Sequence, residues 1–257
     1  MTNILLTISY DGTDFCGWQR QDKGNAGLPL RTVQGEIENA IEKMLRTKIP
    51  LVGSGRTDSG VHAASQAANF ISPVDSIPTE SYVRALNGLL PRDIRIMSAS
   101  TVPMDFSARF SATSRVYRYF MHTGLPAARD MRYVWRLHGH PDAEKLNGMC
   151  SCLSGEIDCA AFAAAGDQSL STYRYIESAR FWYEGEVLVF EIEANAFLWK
   201  MVRSITGTLI QMEMKGKGED DFREILESRD RSRAGTTAPP DGLFLWEVKF
   251  SGIRRHP

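Results

Sequence analysis

Residues 53–63 read GSGRTDSGVHA: one carboxylate, Asp58, among three glycines, three hydroxyl residues, an arginine and a histidine. A carboxylate held ionised by a nearby cation and fixed in orientation can act as a nucleophile. Glycines around it would let a substrate backbone approach closely. Two phosphate-binding readings compete with this one. A Walker loop needs a lysine after its second glycine, and none follows here. A dinucleotide fingerprint would use Gly53 and Gly55, but Asp58 stands where the third glycine belongs, and a strand follows where a helix is needed. A carboxylate at that point would also repel the phosphate. A further reading has Asp58 capping a turn, with the glycines supplying positive φ. Spacing alone leaves that reading open beside the nucleophile.

Other residues could do chemistry less convincingly. His138-x-His140 and Cys150-x-Cys152 amount to four zinc-ligand types, but the spacing is unlike C-x₂-C, and the two cysteines fall on a predicted helix with their side chains apart. No metal site is expected. Between Arg84 and Arg136 stand nine arginines against three aspartates, a local net charge of +6, whereas 137–197 carries ten acids against three bases. The whole chain of 257 residues nets −1, so its near-neutrality is a cancellation. An arginine-rich window suits bidentate contact with phosphate, although scattered solvated arginines would give the same count.

Composition bounds the class. A chain 43% hydrophobic and 24% charged is an ordinary globular protein of one large or two modest domains. The four cysteines form no disulfide framework, which predicts a reducing compartment. No signal peptide and no apolar run of about 18 residues is evident. A cytoplasmic protein is expected, with no membrane contact.

The elements that must position Asp58 follow from periodicity. Asn3–Tyr10 alternates as a strand before the Asp11-Gly12 turn, and a Gly/Asn/Pro-containing loop covers Asp22–Leu30. Thr32 caps a helix with Val33, Ile37, Ile41, Met44 and Leu45 on one face. Short strand Pro50–Gly53 runs into the aspartate loop, strand Val61–Ile71 leaves it, and Ser81–Leu90 is a helix stopped by Pro91. Strand Arg115–Met121, helix Pro141–Leu153, strands Arg174–Tyr183 and Val187–Ala194, helices Phe197–Met212 and Phe222–Glu227, and strand Gly242–Phe250 follow. A similar order in each half predicts two related α+β layers, divided near 106–113 into domains 1–107 and 108–257.

GRTDSGVHA (55–63) resembles the signature of the tRNA pseudouridine synthase A family. YDGTDFCGWQRQ (10–21), TVQGEIENAI (32–41), ALNGLLPRDIRI (85–96), FSARFSATSRVYRY (106–119), ANAFLWKMVRSITGTL (194–209) and AGTTAPPDGLFLWEVKF (234–250) extend the resemblance in order along nearly the whole chain. The chain departs from the family pattern at 156–162 and 211–218. The resemblance implies an α+β pseudouridine synthase fold, with two similar layers, largely antiparallel sheets and a cleft between them. It implies a cofactor-free isomerase that converts uridine to pseudouridine at tRNA positions 38, 39 and/or 40 in the anticodon stem-loop, acting as a homodimer bridged by tRNA.

Residue by residue, it makes Asp58 the catalytic carboxylate, Tyr117 the aromatic that stacks on the extruded base, and Arg203 the partner of the aspartate. Leu245 would pack against the base. Arg56 would contact phosphate or help displace the base, and Arg109 and Arg115 would bind substrate within the arginine window. Without the resemblance, Tyr117 reads as a core aromatic and Arg203 as a solvated helix arginine, although Trp199 and Gly207, four residues to either side, suggest a more buried helix face. His62 reads as structural, one ring nitrogen satisfying a turn. Two other classes remain on residues alone: a non-catalytic RNA-binding protein and a nucleotide-binding enzyme.

Overall fold

The computed structural model describes residues 1–22 and 29–255. Of the loop expected over Asp22–Leu30, residues 23–28 lie outside the described residues. In chain order the elements are β1 (Thr2–Tyr10), α1 (Val33–Leu45), β2 (Val52–Gly53), β3 (His62–Ser72), α2 (Thr79–Leu89), β4 (Ile94–Val102), β5 (Ser114–His122), β6 (Trp135–Arg136), α3 (Ala143–Cys150), β7 (Gly155–Asp158), β8 (Tyr173–Glu184), β9 (Val187–Ala194), α4 (Met201–Met214), α5 (Glu219–Ser228) and β10 (Leu243–Lys249). The class is α+β. The chain divides into two compact units: Met1–Ala112 with Phe244–Ser251, and Thr113–Leu243 with Gly252–Pro257.

In the first unit β1 lies antiparallel between β3 and β4, with Leu6 opposite Ala68 on one side and Ala99 on the other. Ile4, Leu6, Ile8 and Tyr10 are all buried, so the period-two pattern reports a real core face. Each such aliphatic side chain removed from water is worth roughly 1.5–3 kcal/mol. Helix α1 starts where Thr32 accepts the Gly35 N–H, ends at Arg46 in the left-handed region, and buries Val33, Ile37, Ala40 and Ile41. Strand β3 pairs with β2 antiparallel and with β10 in parallel, Leu245 opposite Ala63. Sequence analysis missed β4: beyond Ile94 and Ile96 it reads MSASTV, mostly solvent-facing and without alternation.

The loop joining β2 to β3 is clamped on both sides. From one side comes the stretch after β1. A Cβ on Gly12 would lie 2.0 Å from the Val61 carbonyl oxygen, and one on Gly17, at φ +87°, would lie 2.7 Å from that of Thr57. Trp18 N–H donates to the Thr57 carbonyl at 3.1 Å, Gly60 N–H to that of Phe15 at 3.3 Å, and the Tyr10 and Thr57 hydroxyls share a 2.8 Å bond. From the other side, Gln66 on β3 donates to the Gly55 carbonyl and accepts from the Ser54 hydroxyl. The buried His62 ring stacks on Phe244 at 4.6 Å, and its Nδ1 accepts the Gly12 N–H at 3.0 Å, so this nitrogen is an acceptor despite lying 3.2 Å from Asp11.

In the second unit β5, β9, β8 and β7 form an antiparallel run, with Tyr117 opposite Ile192, and β6 adds in parallel at the end of β5. One face of β5 buries Tyr117, Tyr119 and Met121. On the other, Arg118 and Arg180 each lie 2.8 Å from a Glu191 oxygen, and both guanidiniums lie over the Trp182 ring. Burial opposes charge on Glu191, but the two arginines outweigh it and hold the carboxyl below its ordinary range.

Helix α4 is buried on nearly every side and starts at Met201, not Phe197. Lys200, at φ +59°, stops the helical run there. Trp199 therefore stands outside the helix, 46% exposed, contrary to the buried face expected around Arg203. Gly207 does lie at a close approach: a Cβ there would sit 2.0 Å from the Thr236 carbonyl. Helix α3 ends at Cys150, so Cys152 lies past it rather than on it.

Two measurements test this packing. Gly12→Ala or Gly17→Ala should cost at least about 2 kcal/mol in urea unfolding. Gly55→Ala, whose Cβ would meet nothing within 4 Å, should stay within about 0.5 kcal/mol of the parent. Glu191→Gln should lower stability by about 1–2 kcal/mol at neutral pH. Because the folded carboxyl is depressed, the gap to the parent should persist above the ordinary glutamate range and close as pH falls through the folded value.

Candidate functional site

Asp58 ends an irregular run, 56–58, that leads into a turn at 59–60. It is half-buried, neither sealed in the core nor fully in solvent. The turn is closed through the main chain: the Asp58 carbonyl accepts the Val61 N–H at 3.2 Å, and Gly60 takes φ +80°. Gly60 thus supplies the positive φ that the turn reading asked for. Gly53 serves a different end from substrate approach, since a Cβ on it would meet the Trp18 indole at 2.5 Å. The loop presents Asp58 from a backbone whose neighbours, Thr57 and Gly60, are bonded to the main chain of Trp18 and Phe15 in the stretch after β1, the kind of support that an oriented reacting group requires.

Arg56 is exposed, and its Nε donates to Gln19 Oε1 at 3.1 Å. Gln19 in turn donates to Gln34 Oε1, and Gln34 donates to the Leu51 carbonyl. A chain of amides thus positions the guanidinium near the loop that carries Asp58. Leu245 is wholly buried, and β10 brings it beside Ala63, at the start of the strand that follows the loop. Arg109 is exposed, with its guanidinium 5.4 Å over the ring of the exposed Phe110.

Three other expected residues gather in the second unit. Tyr117 is buried, its ring edge-on to Phe197 at 5.0 Å. Arg203, on the first turn of α4, donates from Nε to the Ala238 carbonyl at 2.8 Å, and its own carbonyl accepts the Ala238 N–H. The Tyr119 hydroxyl donates to the next carbonyl, that of Pro239. Burial pushes the Tyr119 hydroxyl well above its ordinary range, and the positive field of Arg203 opposes the shift. Segment 237–240 therefore ties the head of α4 to the β5 face that bears Tyr117. Arg115 reaches the Asn195 carbonyl at 2.8 Å.

The arginine window divides in two. Arg95 is turned onto the Pro91 and Ile94 carbonyls, Arg115 onto Asn195, and Arg118 onto Glu191. Arg84, Arg92, Arg109, Arg129, Arg132 and Arg136 remain exposed. Sequence reasoning could not divide them, because a guanidinium that satisfies carbonyls of its own fold is indistinguishable, in sequence, from one that faces solvent. It also missed Gly12, Gly17, Gln19 and Gln66, which hold the loop. The signal available for the glycines was their placement in YDGTDFCGWQRQ, with no periodic element to explain them. Among the described residues no group of three or more His, Cys, Asp or Glu side chains could hold a metal ion.

Comparison with known proteins gives these features a context. A family model described as tRNA pseudouridine synthase matches residues 6–111 and 149–251. Curated relatives called tRNA pseudouridine synthase A include one from Treponema denticola, 55% identical over 96% of this chain and 92% of its own. Another, from Brachyspira hyodysenteriae, is 43% identical over 97% and 99%. A third, from Caldicellulosiruptor saccharolyticus, is 41% identical over 97% and 100%. Among solved structures, a chain of a Cbf5-Nop10-Gar1 complex aligns at 12% identity and a TM-score of 0.43, over 94% of this chain and 48% of that one. With matched segments on both sides of the loop and along most of its length, this chain belongs to the tRNA pseudouridine synthase family, and so is an isomerase.

Proposed function

We propose that this protein converts uridine to pseudouridine in tRNA, at one or more of positions 38, 39 and 40 of the anticodon stem-loop, without a cofactor and as a cytoplasmic homodimer. The observation that carries the reading is Asp58, half-buried on a loop held from both sides by backbone contacts. The base must leave C1′, rotate and rejoin through C5. A bound carboxylate can serve this by attacking C1′ or the base C6, or by taking the C2′ proton; each route needs it ionised and fixed. In this reading Tyr117 stacks on the base once it is extruded. Arg203 supplies the balancing positive charge, and Leu245 packs against the base. Arg56, Arg109 and Arg115 guide the RNA, phosphate contacts making binding salt-dependent.

Unmodified tRNA transcripts incubated with the protein and mapped chemically for pseudouridine provide the test. The parent should modify one or more of the three positions. Asp58→Ala should lower the rate at least about a thousandfold while tRNA binding persists. Wild-type turnover by that variant would refute the assignment. Tyr117→Phe should keep its stacking role and form product, whereas Tyr117→Ala should lose turnover; equal rates for both and for the parent would remove Tyr117 from the mechanism.

A further inference from the structure

We propose that Trp199 is a stacking platform for a second nucleobase, one that flanks the target uridine in the anticodon arm. The inference rests on the reading of this chain as a tRNA-modifying enzyme, and it adds a binding residue to that reading.

Trp199 is the one residue of the run Phe197–Ile210 that is exposed, 46% open to solvent between the buried Leu198 and the buried start of α4. A large aromatic nearly half open to solvent at such a place forgoes part of the burial that its neighbours obtain. Its backbone is nevertheless held on both sides. The N–H donates to Asp167 Oδ2 at 2.5 Å, and the carbonyl accepts the Ala164 N–H at 3.0 Å. Burial opposes charge on Asp167, but hydrogen bonds from Ser169 and Trp199 prevail and lower its pKa, so the carboxylate is an acceptor at neutral pH.

The next residue, Lys200, takes φ +59°, a conformation that a non-glycine residue adopts rarely and that recurs at functional sites. That conformation closes the turn at 199–200 and keeps Trp199 out of the helix. The Lys200 ammonium lies 4.7 Å from the indole centroid, where it also offers positive charge to a phosphate attached to a stacked base. Beside the ring edge is Gly166, where even a Cβ would come within 3.7 Å of the indole.

The place is suited to the substrate. Phe197, whose ring meets Tyr117, lies two residues before Trp199, an along-chain reach of at most about 7 Å. Arg203 lies one helical turn beyond. Single-stranded nucleic acid is commonly held by successive bases on aromatic rings, with a cation nearby for the backbone. A half-exposed indole on a backbone bonded at both its N–H and its carbonyl, with an ammonium over the ring, has these properties.

The test measures the affinity of the full-length protein for an unmodified tRNA transcript at several salt concentrations, beside single-turnover pseudouridine formation. Trp199→Leu keeps apolar bulk but removes the π face. It should bind about tenfold more weakly at every salt concentration, with the parent's slope of log affinity against log salt, since no phosphate contact is lost. Trp199→Phe should recover most of the affinity. Trp199→Gln is a second non-aromatic variant, with the same expected loss, should the leucine variant not fold. Affinity of the leucine or glutamine variant within twofold of the parent, equal weakening by leucine and phenylalanine, or a salt slope reduced by about one would each overturn the proposal. A parent that forms no pseudouridine would defeat the functional reading, while the binding series would still decide the role of Trp199.

Discussion

The close approach of two stretches of main chain, 12–18 and 57–61, is the constraint on which the loop carrying Asp58 depends. Only a residue without a Cβ fits at Gly12 and Gly17, because the Val61 and Thr57 carbonyls occupy the space where one would be. That proximity lets the Trp18 and Gly60 amides reach carbonyls across the gap, so backbone polar groups of an irregular loop are satisfied without a strand ladder. The loop is ordered by its neighbours rather than by its own propensity. A loop held in this way can present a half-buried carboxylate in a single orientation, which is the property that the proposed chemistry needs.

The second unit reaches a similar result by other means. Here the polar ties are side chain to backbone: Arg203 to Ala238 and Tyr119 to Pro239, both within the segment that precedes β10. Gly207 lets that segment lie against α4 as closely as Gly12 lets the loop lie against the stretch after β1. Each unit thus secures an irregular segment by a close approach of main chain that glycine permits. Gly242, at φ +79°, continues the same economy of space: a Cβ on it would meet the Phe120 carbonyl at 2.3 Å.

Charge is allotted by the same packing. Arg118 and Arg180 share Glu191 and cover Trp182, so two cations and one anion of the charge count serve the sheet of the second unit. Arg95 and Arg115 satisfy carbonyls. The exposed members include Arg109, over the Phe110 ring, and Arg129, 3.6 Å from Asp130. Where positive charge is displayed is thus decided guanidinium by guanidinium within the fold, not by the charge count.

Much of the fold was legible residue by residue. Alternation located β1 and β5, strand-like runs located β3, β8, β9 and β10 to within a few residues, and Thr32 marked the start of α1, because these signals depend on contacts close in sequence or on one buried face. The GRTDSGVHA stretch and the segments that follow it in order were enough to indicate the family. The sequence could not show what Gly12 and Gly17 are for, since the carbonyls they accommodate lie some forty residues or more away. Nor could it distinguish an arginine turned onto a carbonyl from one facing water, or reveal that Lys200 stops a helix whose periodicity runs on through Phe197. Those outcomes were decided by tertiary structure, where distant backbone competes for the same space and a left-handed residue turns Trp199 to solvent.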